Sequence, residues 1–220
     1  MLKVWGRANS INVQKVMWTL GELGLAYERT PVGGSFGGTA DPAYRAMNPN
    51  GLVPTILDGD TVLWESNAIV RYLAAKYDAG GLWPEDPLAC GRSDRWMDWT
   101  ATTLSPAMTP VFMATVRAPR NAPPPEDFSA ALDKLSSQFR IIEEALSRSD
   151  YIAGTRLTIG DIAVGVFVAR YLRMPITRPL LPRIEVYFAR LKEHPAFRTH
   201  VMVPFGTCQE EWAALEREHG

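Results

Sequence analysis

Residues 48–68 read NPNGLVPTILDGDTVLWESNA and predict two short strands joined by a tight turn. Val53 and Pro54 precede the first strand, an apolar run at 55–57. Residues 58–60, Asp-Gly-Asp, are typical of a hairpin turn because glycine adopts a positive φ without steric cost. The return strand follows at 61–64. This hairpin is the clearest structural signal in the chain, and we interpret the elements on either side by reference to it.

Glu65 and Ser66 stand where the second strand of the hairpin passes into a helix. A serine at a helix start can cap it, and the unpaired amides of the first turn attract anions. A carboxylate beside such a site favours a cationic group. The pair therefore predicts a binding site for a zwitterionic ligand, and the cap and the binding role can coexist.

Composition limits the function classes. The chain has 220 residues, a net charge of −1, 46% hydrophobic residues and 21% charged residues, which is typical of a globular protein. Such a charge gives no reason to expect nucleic acid or an acidic membrane as a partner. The start of the chain lacks a signal-peptide pattern, and the apolar run 162–169 is too short to span a bilayer. Two separate cysteines, Cys90 and Cys208, favour a reduced, cytoplasmic protein.

Strand and helix patterns alternate in the first part of the chain. A strand at 2–5 is followed by cap residues, by a helix with apolar positions from Val13 to Leu23, and by a second strand at 26–32. A strand–helix–strand unit of this length favours a parallel pair. A glycine-rich loop, a short helix from Pro42, the hairpin and a helix at 66–77 complete a βαβ–ββα order. We expect a small mixed sheet of four strands flanked by helices.

The second part of the chain shows only helix patterns. Pro106 and Pro110 should kink or break the helix that begins at Asp86-Pro87. Residues 158–161, Thr-Ile-Gly-Asp, have capping-box spacing and open a nearly continuous apolar helix at 162–172. Further helices are predicted at 126–148, 182–193 and 208–218. We therefore expect two domains, an α/β domain at 1–80 and an all-α domain at 86–220.

Four motifs, taken together, resemble the cytosolic glutathione S-transferases. They are NSINVQKVMWTLGELGLAYE at 9–28, NPNGLVPTILDG at 48–59, LWESNAIVRYLA at 63–74 and LTIGDIAVG at 157–165. The resemblance covers nearly the whole chain and is strongest to bacterial members with a serine or asparagine at the active site, similar to the theta, beta and nu classes. It implies an N-terminal thioredoxin-like domain, a C-terminal helical domain and glutathione as cosubstrate, with no tightly bound cofactor and no metal.

The resemblance also implies a glutathione site on the hairpin. The residue matching Pro54 is cis in the family, and the main chain of the residue matching Val53 pairs with the cysteinyl backbone of glutathione. Glu65 and Ser66 match the residues that hold the γ-glutamyl end. The glycyl end would meet the loop at 33–42. This loop lacks the histidine–lysine pair or the glutamine of other family members, so Thr39 and Phe36 are only weak candidates for that contact.

Catalysis by such an enzyme requires the glutathione thiolate. A free thiol with a pKa of about 8.5 is only about 3% ionised at pH 7, and one hydrogen bond to the charged sulfur lowers that pKa by about 1–2 units. Ser10 matches the catalytic hydroxyl of serine-type members, and Asn12 matches an asparagine that some bacterial members use. Either residue or both could donate, and either could instead cap the following helix. Arg7 is close in sequence and could assist or simply face solvent.

The electrophile would lie against the helical domain, near Met108, Phe112 and Thr115, although the same stripe could be ordinary core. Arg95 and Asp98 fall where the partner subunit reaches the site in family dimers, so we expect a homodimer; a solvated helix face is the alternative. The resulting prediction is a transferase that conjugates small hydrophobic electrophiles in detoxification-type chemistry. A non-catalytic ligand carrier or a protein-interaction subunit of the same fold is the other hypothesis.

Overall fold

A four-stranded mixed sheet forms the first part of the fold in the computed structural model, which describes residues 1–219. Its strand order is β2-β1-β3-β4. The first two strands are parallel, whereas β3 pairs antiparallel with both β1 and β4. This confirms the predicted mixed sheet and the hairpin within it. The strands are β1 Leu2–Trp5, β2 Tyr27–Thr30, β3 Thr55–Asp58 and β4 Thr61–Trp64.

Three helices accompany this sheet: α1 Ile11–Glu22, α2 Pro42–Met47 and α3 Ser66–Tyr77. Helices α1 and α3 pack together and cover one apolar cluster. Val4 and Ile56 from the strands and Val16 and Ile69 from the helices are fully buried in it. The glycine-rich loop, predicted as irregular, contains one short 3₁₀ turn at Gly34–Phe36.

The rest of the described chain is helical, as predicted. Its helices are α4 Pro87–Trp99, α5 Ser105–Ala114, α6 Phe128–Ala145, α7 Ile159–Arg173, α8 Pro182–Leu191, α9 Pro195–His200 and α10 Gln209–His219. The sequence patterns missed α9, which is only six residues long and directly follows α8. No helix within residues 1–219 combines the length and the hydropathy needed to cross a membrane.

The predicted kink or break at Pro106 and Pro110 takes the form of a π-helical segment, and the helical path does not end there. A π-helical segment, Thr100–Leu104, connects α4 to α5, and α5 continues past Pro110 to Ala114. Proline disrupts a regular helix because its ring presses on a carbonyl of the preceding turn and its nitrogen cannot donate. A wider π turn immediately before Pro106 relieves that crowding without ending the helical path.

Helix α7 is the buried axis that brings the two parts of the chain together. At its start Thr158 donates from its main-chain nitrogen to Asp161 Oδ2 at 2.9 Å, which confirms the predicted capping box. Burial raises the pKa of Asp161 to about 6, against the opposing effect of its hydrogen bonds, including one from Tyr187. Farther along α7, Gly165 lies against Trp18 of α1, so the two helices approach closely.

Candidate functional site

A cavity of about 250 Å³ lies between the start of α1 and the helices of the second part. Its volume is near the lower end of the usual range for ligand sites. From the first part of the chain it is lined by Arg7, Asn9, Ser10, Ile11 and Asn12. The structure thus brings both predicted thiolate donors to one cavity.

Ser10 is the residue before α1, and its side chain makes no capping hydrogen bond. The residue is 8% exposed, and its main-chain carbonyl instead accepts from Gln14 at 2.9 Å. The alternative that Ser10 serves only as a side-chain cap is therefore not what the geometry shows. Its hydroxyl lines the cavity as a donor that the helix does not use.

Asn12 belongs to a hydrogen-bonded chain that sequence reasoning did not anticipate. Lys15 Nζ donates to Ser66 Oγ at 3.3 Å and to Asn67 Oδ1 at 3.0 Å, and Ser66 Oγ donates to Asn12 Oδ1 at 3.2 Å. Because the Asn12 oxygen is used as an acceptor, its NH₂ group is the donor that remains. Ser66 thus orients the Asn12 amide as well as starting α3.

Lys15 is almost wholly buried, at 3% exposure. Burial lowers the pKa of Lys15 to about 8, opposed by the negative charge of Glu65. The only indication in the sequence that Lys15 is buried is its position among the apolar residues Val13, Val16 and Met17. At neutral pH the result is a positive charge immediately behind the N-terminus of α3, where an anion is already favoured.

The Val53-Pro54 bond is cis, as the resemblance implied. Neither main-chain polar group of Val53 makes a hydrogen bond within residues 1–219. The N–H and C=O of Val53 are thus unpaired, two residues before β3 begins. A peptide ligand could add to them as a short extended segment.

Thr39 and Val53 both lie beside Gly33 of the glycine-rich loop. A Cβ placed on Gly33 would lie 3.4 Å from Val53 Cγ1 and 3.6 Å from Thr39 Cγ2.

Glu65 is exposed and has a φ of 70°, a left-handed conformation that is uncommon for a glutamate. Such conformations concentrate at ligand sites, and this one lies at the residue that precedes α3.

Helix α10 closes one side of the site through an ion pair that spans the chain. Arg7 Nε lies 2.8 Å from Glu216 Oε1, and Ser35 donates from its main chain to Glu216 Oε2 at 2.8 Å. Burial alone would raise the pKa of Glu216, but the hydrogen bonds from Ser35 and the charge of Arg7 outweigh it and leave that pKa lowered. Arg7 is therefore part of the site rather than a surface residue.

On the helical side, Met108 and Phe112 line the cavity as predicted, but Thr115 does not. Helix α5 ends at Ala114, and Thr115 leaves the helical path at φ −117° and ψ −85°. Its hydroxyl donates to the Val111 carbonyl at 2.8 Å. Thr109, which lies three residues before Phe112 on α5, lines the cavity instead of Thr115.

Two further arginines line this cavity, and neither was a sequence candidate. Arg170 of α7 is 4% exposed and donates to the Asn9 carbonyl at 2.8 Å. Arg117 is half-buried and stacks over the Trp212 ring at 4.8 Å. Burial, together with the smaller effects of the Arg173 and Arg7 charges, lowers the pKa of Arg170 to about 9. Arg170 reaches the site from α7, and Arg117, which follows α5, packs there against Trp212 of α10.

Arg95 and Asp98 lie on an exposed face of α4, outside this cavity. Asp98 pairs with Arg71 of the same chain, which also pairs with Asp94 at 2.6 Å. Their predicted contact with a partner subunit stays a prediction.

Within residues 1–219, no three His, Cys, Asp or Glu side chains converge as a metal site would require. Cys90 and Cys208 are both unpaired thiols.

Comparisons with known proteins agree with the resemblance found in the sequence motifs. Residues 1–75 match the family model "Glutathione S-transferase, N-terminal domain", and residues 103–195 match "Glutathione S-transferase, C-terminal domain". The chain is similar to Glutathione S-transferase GstB of Escherichia coli, with 40% identity over 93% of this chain and 99% of that protein. It is 32% identical to Glutathione S-transferase 3 of Zea mays, over 91% and 93% of the two chains.

A solved structure is similar over the same length. This is the theta class glutathione S-transferase from Xanthomonas axonopodis pv. citri with glutathione bound, with a TM-score of 0.89 and 44% identity. The match covers 93% of this chain and 99% of that one.

Proposed function

The chain belongs to the glutathione S-transferase family, and we propose that it conjugates the thiolate of glutathione to small hydrophobic electrophiles. The observation that carries this proposal is the cavity in which Ser10 and Asn12 share a lining with Met108 and Phe112. A thiolate stabilised by the first pair would meet an electrophile held against the second.

Glutathione would bind across the hairpin and the start of α3. The unpaired main chain of Val53, following Gly51 and Leu52 and preceding Pro54, would hold the cysteinyl backbone. The γ-glutamyl carboxylate would meet Ser66 and the amides of α3, with the Lys15 charge behind them, while Glu65 balances the ammonium. Thr39 would meet the glycyl end. These residues are the proposed glutathione site.

In the reaction, the thiol proton leaves to solvent and hydrogen bonds from the Ser10 hydroxyl and the Asn12 amide stabilise the sulfur anion. The sulfur attacks an electron-poor carbon. In a substitution a carbon–sulfur bond forms and the bond to the leaving halide breaks, and the halide departs with the electron pair. Neither Ser10 nor Asn12 acts as a base, and no tightly bound cofactor takes part.

We further propose a cytoplasmic homodimer with a role in detoxification, composed of domains at 1–80 and 86–220. The exposed face of α4 that carries Arg95 and Asp98 would approach the partner subunit. Sedimentation of the wild type and of an Arg95→Glu variant tests the dimer. A monomer in both would contradict it.

A non-catalytic carrier is the competing function, favoured only by the apolar half of the cavity. Retention on glutathione-agarose, followed by conjugation of a chloronitroarene, separates the two. We expect retention and turnover. Retention without turnover would support the carrier, and the absence of both would contradict glutathione as ligand.

A further inference from the structure

Charge is the unexpected property of this cavity. Three guanidinium groups line it, from Arg7, Arg117 and Arg170, and no carboxylate does. The charge of Arg7 is balanced by Glu216, whose Oε1 lies 2.8 Å from Arg7 Nε. Within residues 1–219, neither Arg117 nor Arg170 has a carboxylate within 4.0 Å, so the cavity carries two positive charges without counter-charges. Cations facing a cavity of this size attract an anionic ligand.

Arg170 is held rigidly, as a recognition group should be. Its guanidinium lies over the rings of Phe205 at 4.4 Å and Phe112 at 5.2 Å, and also near Trp212. Its hydrogen bonds to the described residues both leave from Nη2, to the Asn9 carbonyl and to Gln14 Oε1. Both acceptors are neutral, so they satisfy donors without balancing the charge. An arginine has five N–H donors in a planar fork that matches a carboxylate.

Asn9 is a buried polar residue that contacts both Arg170 and the neighbourhood of Glu216. It is 2% exposed and lines the cavity. Its amide approaches Glu216 but neither of its polar atoms completes a hydrogen bond within residues 1–219. Its main-chain carbonyl accepts from Arg170 at 2.8 Å, so Asn9 helps to hold that guanidinium at the cavity.

The apolar part of the lining includes Ile11, Met108, Phe112 and Phe167, and the helical side also contributes the hydroxyl residues Ser105 and Thr109. The cavity thus combines an apolar surface, cationic groups and the two thiolate donors. A neutral hydrophobic electrophile would cover the apolar surface and leave the arginines unpaired.

We propose that the preferred electrophile carries a carboxylate, which Arg117 and Arg170 bind while the apolar body lies against Met108 and Phe112. This inference rests on the proposed function, because it specifies the substrate class of the same site. The carboxylate stays intact during the reaction; its role is to orient the electrophilic carbon toward the sulfur. Specificity then arises as a difference between the charged substrate and its neutral analogue.

The test uses a matched pair, 4-chloro-3,5-dinitrobenzoate and 4-chloro-3,5-dinitrobenzamide. In each, the glutathione sulfur displaces chloride from the same ring position. Dividing kcat/KM by the uncatalysed rate constant with glutathione removes the difference in ring reactivity. We expect the wild type to favour the carboxylate on the order of ten-fold, as charge-assisted hydrogen bonds imply. A normalised ratio of one or less would overturn the proposal without requiring any variant.

Arg117→Gln is the variant of choice, because the Arg117 side chain is half-buried and makes no ion pair or hydrogen bond within the described residues. The carboxylate-to-carboxamide ratio should fall about five-fold or more. Arg140→Gln is the matched control, since it removes the same charge from an exposed position on α6, and its ratio should equal that of the wild type. An unchanged ratio in Arg117→Gln would mean that the arginines serve the thiolate or the leaving chloride, and would overturn the proposal.

A neutral substrate keeps this failure separate from failure of the proposed function. With 1-chloro-2,4-dinitrobenzene, conjugation shows that the enzyme is a working transferase whatever its preference for charge. If that compound reacts and the carboxylate has no advantage, only the inference about the carboxylate is wrong. If glutathione is not retained and none of the three compounds reacts, both are wrong.

Discussion

Lys15 Nζ lies 3.3 Å from Ser66 Oγ, so a buried ammonium group supports the serine that begins α3. Ser66 in turn donates to Asn12, which links the proposed γ-glutamyl site to the proposed thiolate donor. Two functions that the sequence motifs separate by more than fifty positions therefore depend on one buried lysine.

The affinity for glutathione should depend on the charge of Lys15. Burial lowers its pKa to about 8 in the unliganded protein, and a bound carboxylate favours the charged form. Affinity is therefore fully present below about pH 8 and is lost as the pH rises through that value. We expect S-methylglutathione, which has no thiol to titrate, to bind about five-fold more weakly at pH 9.5 than at pH 7.

Lys15→Met supplies the control for this pH dependence. It should bind S-methylglutathione weakly at both pH values, with only the decline that titration of the ligand ammonium itself causes. Calorimetric titration of both proteins gives the comparison. If wild type and variant lose affinity in parallel between pH 7 and 9.5, Lys15 does not act on the ligand.

Removing the thiolate donors should raise the pKa of bound glutathione. The loss of one hydrogen bond to the sulfur anion corresponds to about 1–2 pKa units. We expect such a rise in Ser10→Ala, in Asn12→Ala or in both, measured from thiolate absorbance against pH. The variant with the larger rise identifies the main donor. Equal thiol pKa values in wild type and both variants would contradict the proposed mechanism.

Glu216→Gln should loosen α10 from the active-site loop. Its carboxylate pairs with Arg7 and accepts from Ser35, so the substitution leaves a partly buried guanidinium unbalanced, at a cost of about 1–2 kcal/mol. Because the pKa of Glu216 is lowered on folding, this stabilisation is present above its unfolded value and is lost as the pH falls through the folded value.

Thermal unfolding at pH 7 and at pH 3.5 measures this effect. The difference in Tm between wild type and Glu216→Gln should be largest at pH 7 and smaller in acid. Glu218→Gln, an exposed position on the same helix, should match the wild type. A difference that does not shrink in acid would exclude the ion pair as its cause.

Gly165→Ala should destabilise the contact between α7 and α1. A Cβ at this position would lie 2.8 Å from Leu191 Cδ1 and 2.9 Å from Trp18 Cζ3, closer than packed atoms tolerate. Overpacking of this kind costs about 1–3 kcal/mol. Urea unfolding gives the change in the free energy of unfolding.

Gly91→Ala is the matched substitution, because Gly91 also lies within a helix but a Cβ there would meet nothing within 4 Å. It should stabilise by about 0.5–1 kcal/mol through helix propensity alone. Opposite signs for the two glycines are the expected result. If Gly165→Ala is as harmless as Gly91→Ala, the interface between α7 and α1 is more adaptable than its distances indicate.

Local patterns were sufficient for the order of the elements apart from the short helix α9, and for the candidate residues of part of the site. The hairpin around Gly59, the start of α3 at Ser66 and the capping box at Asp161 each depend on residues a few positions apart. Short-range turn and cap geometry is encoded at that distance. Ser10 and Asn12 are predicted from a motif that the chain shares with a family, whereas Met108 lies outside the shared motifs and is predicted from the expected position of the electrophile.

Only the tertiary structure decided which charges surround the site. Arg170 meets Asn9 across 161 positions and Glu216 meets Ser35 across 181, so no local pattern contains them. Those contacts depend on how α7 and α10 cross the first part of the chain. The same packing buries Lys15, whereas the end of α5 at Ala114 removes Thr115 from the cavity. The sequence by itself determined the folding elements, the glutathione motif and the thiolate candidates. The electrostatic character of the cavity arises from long-range packing, because burial and proximity of charges are properties of the assembled fold.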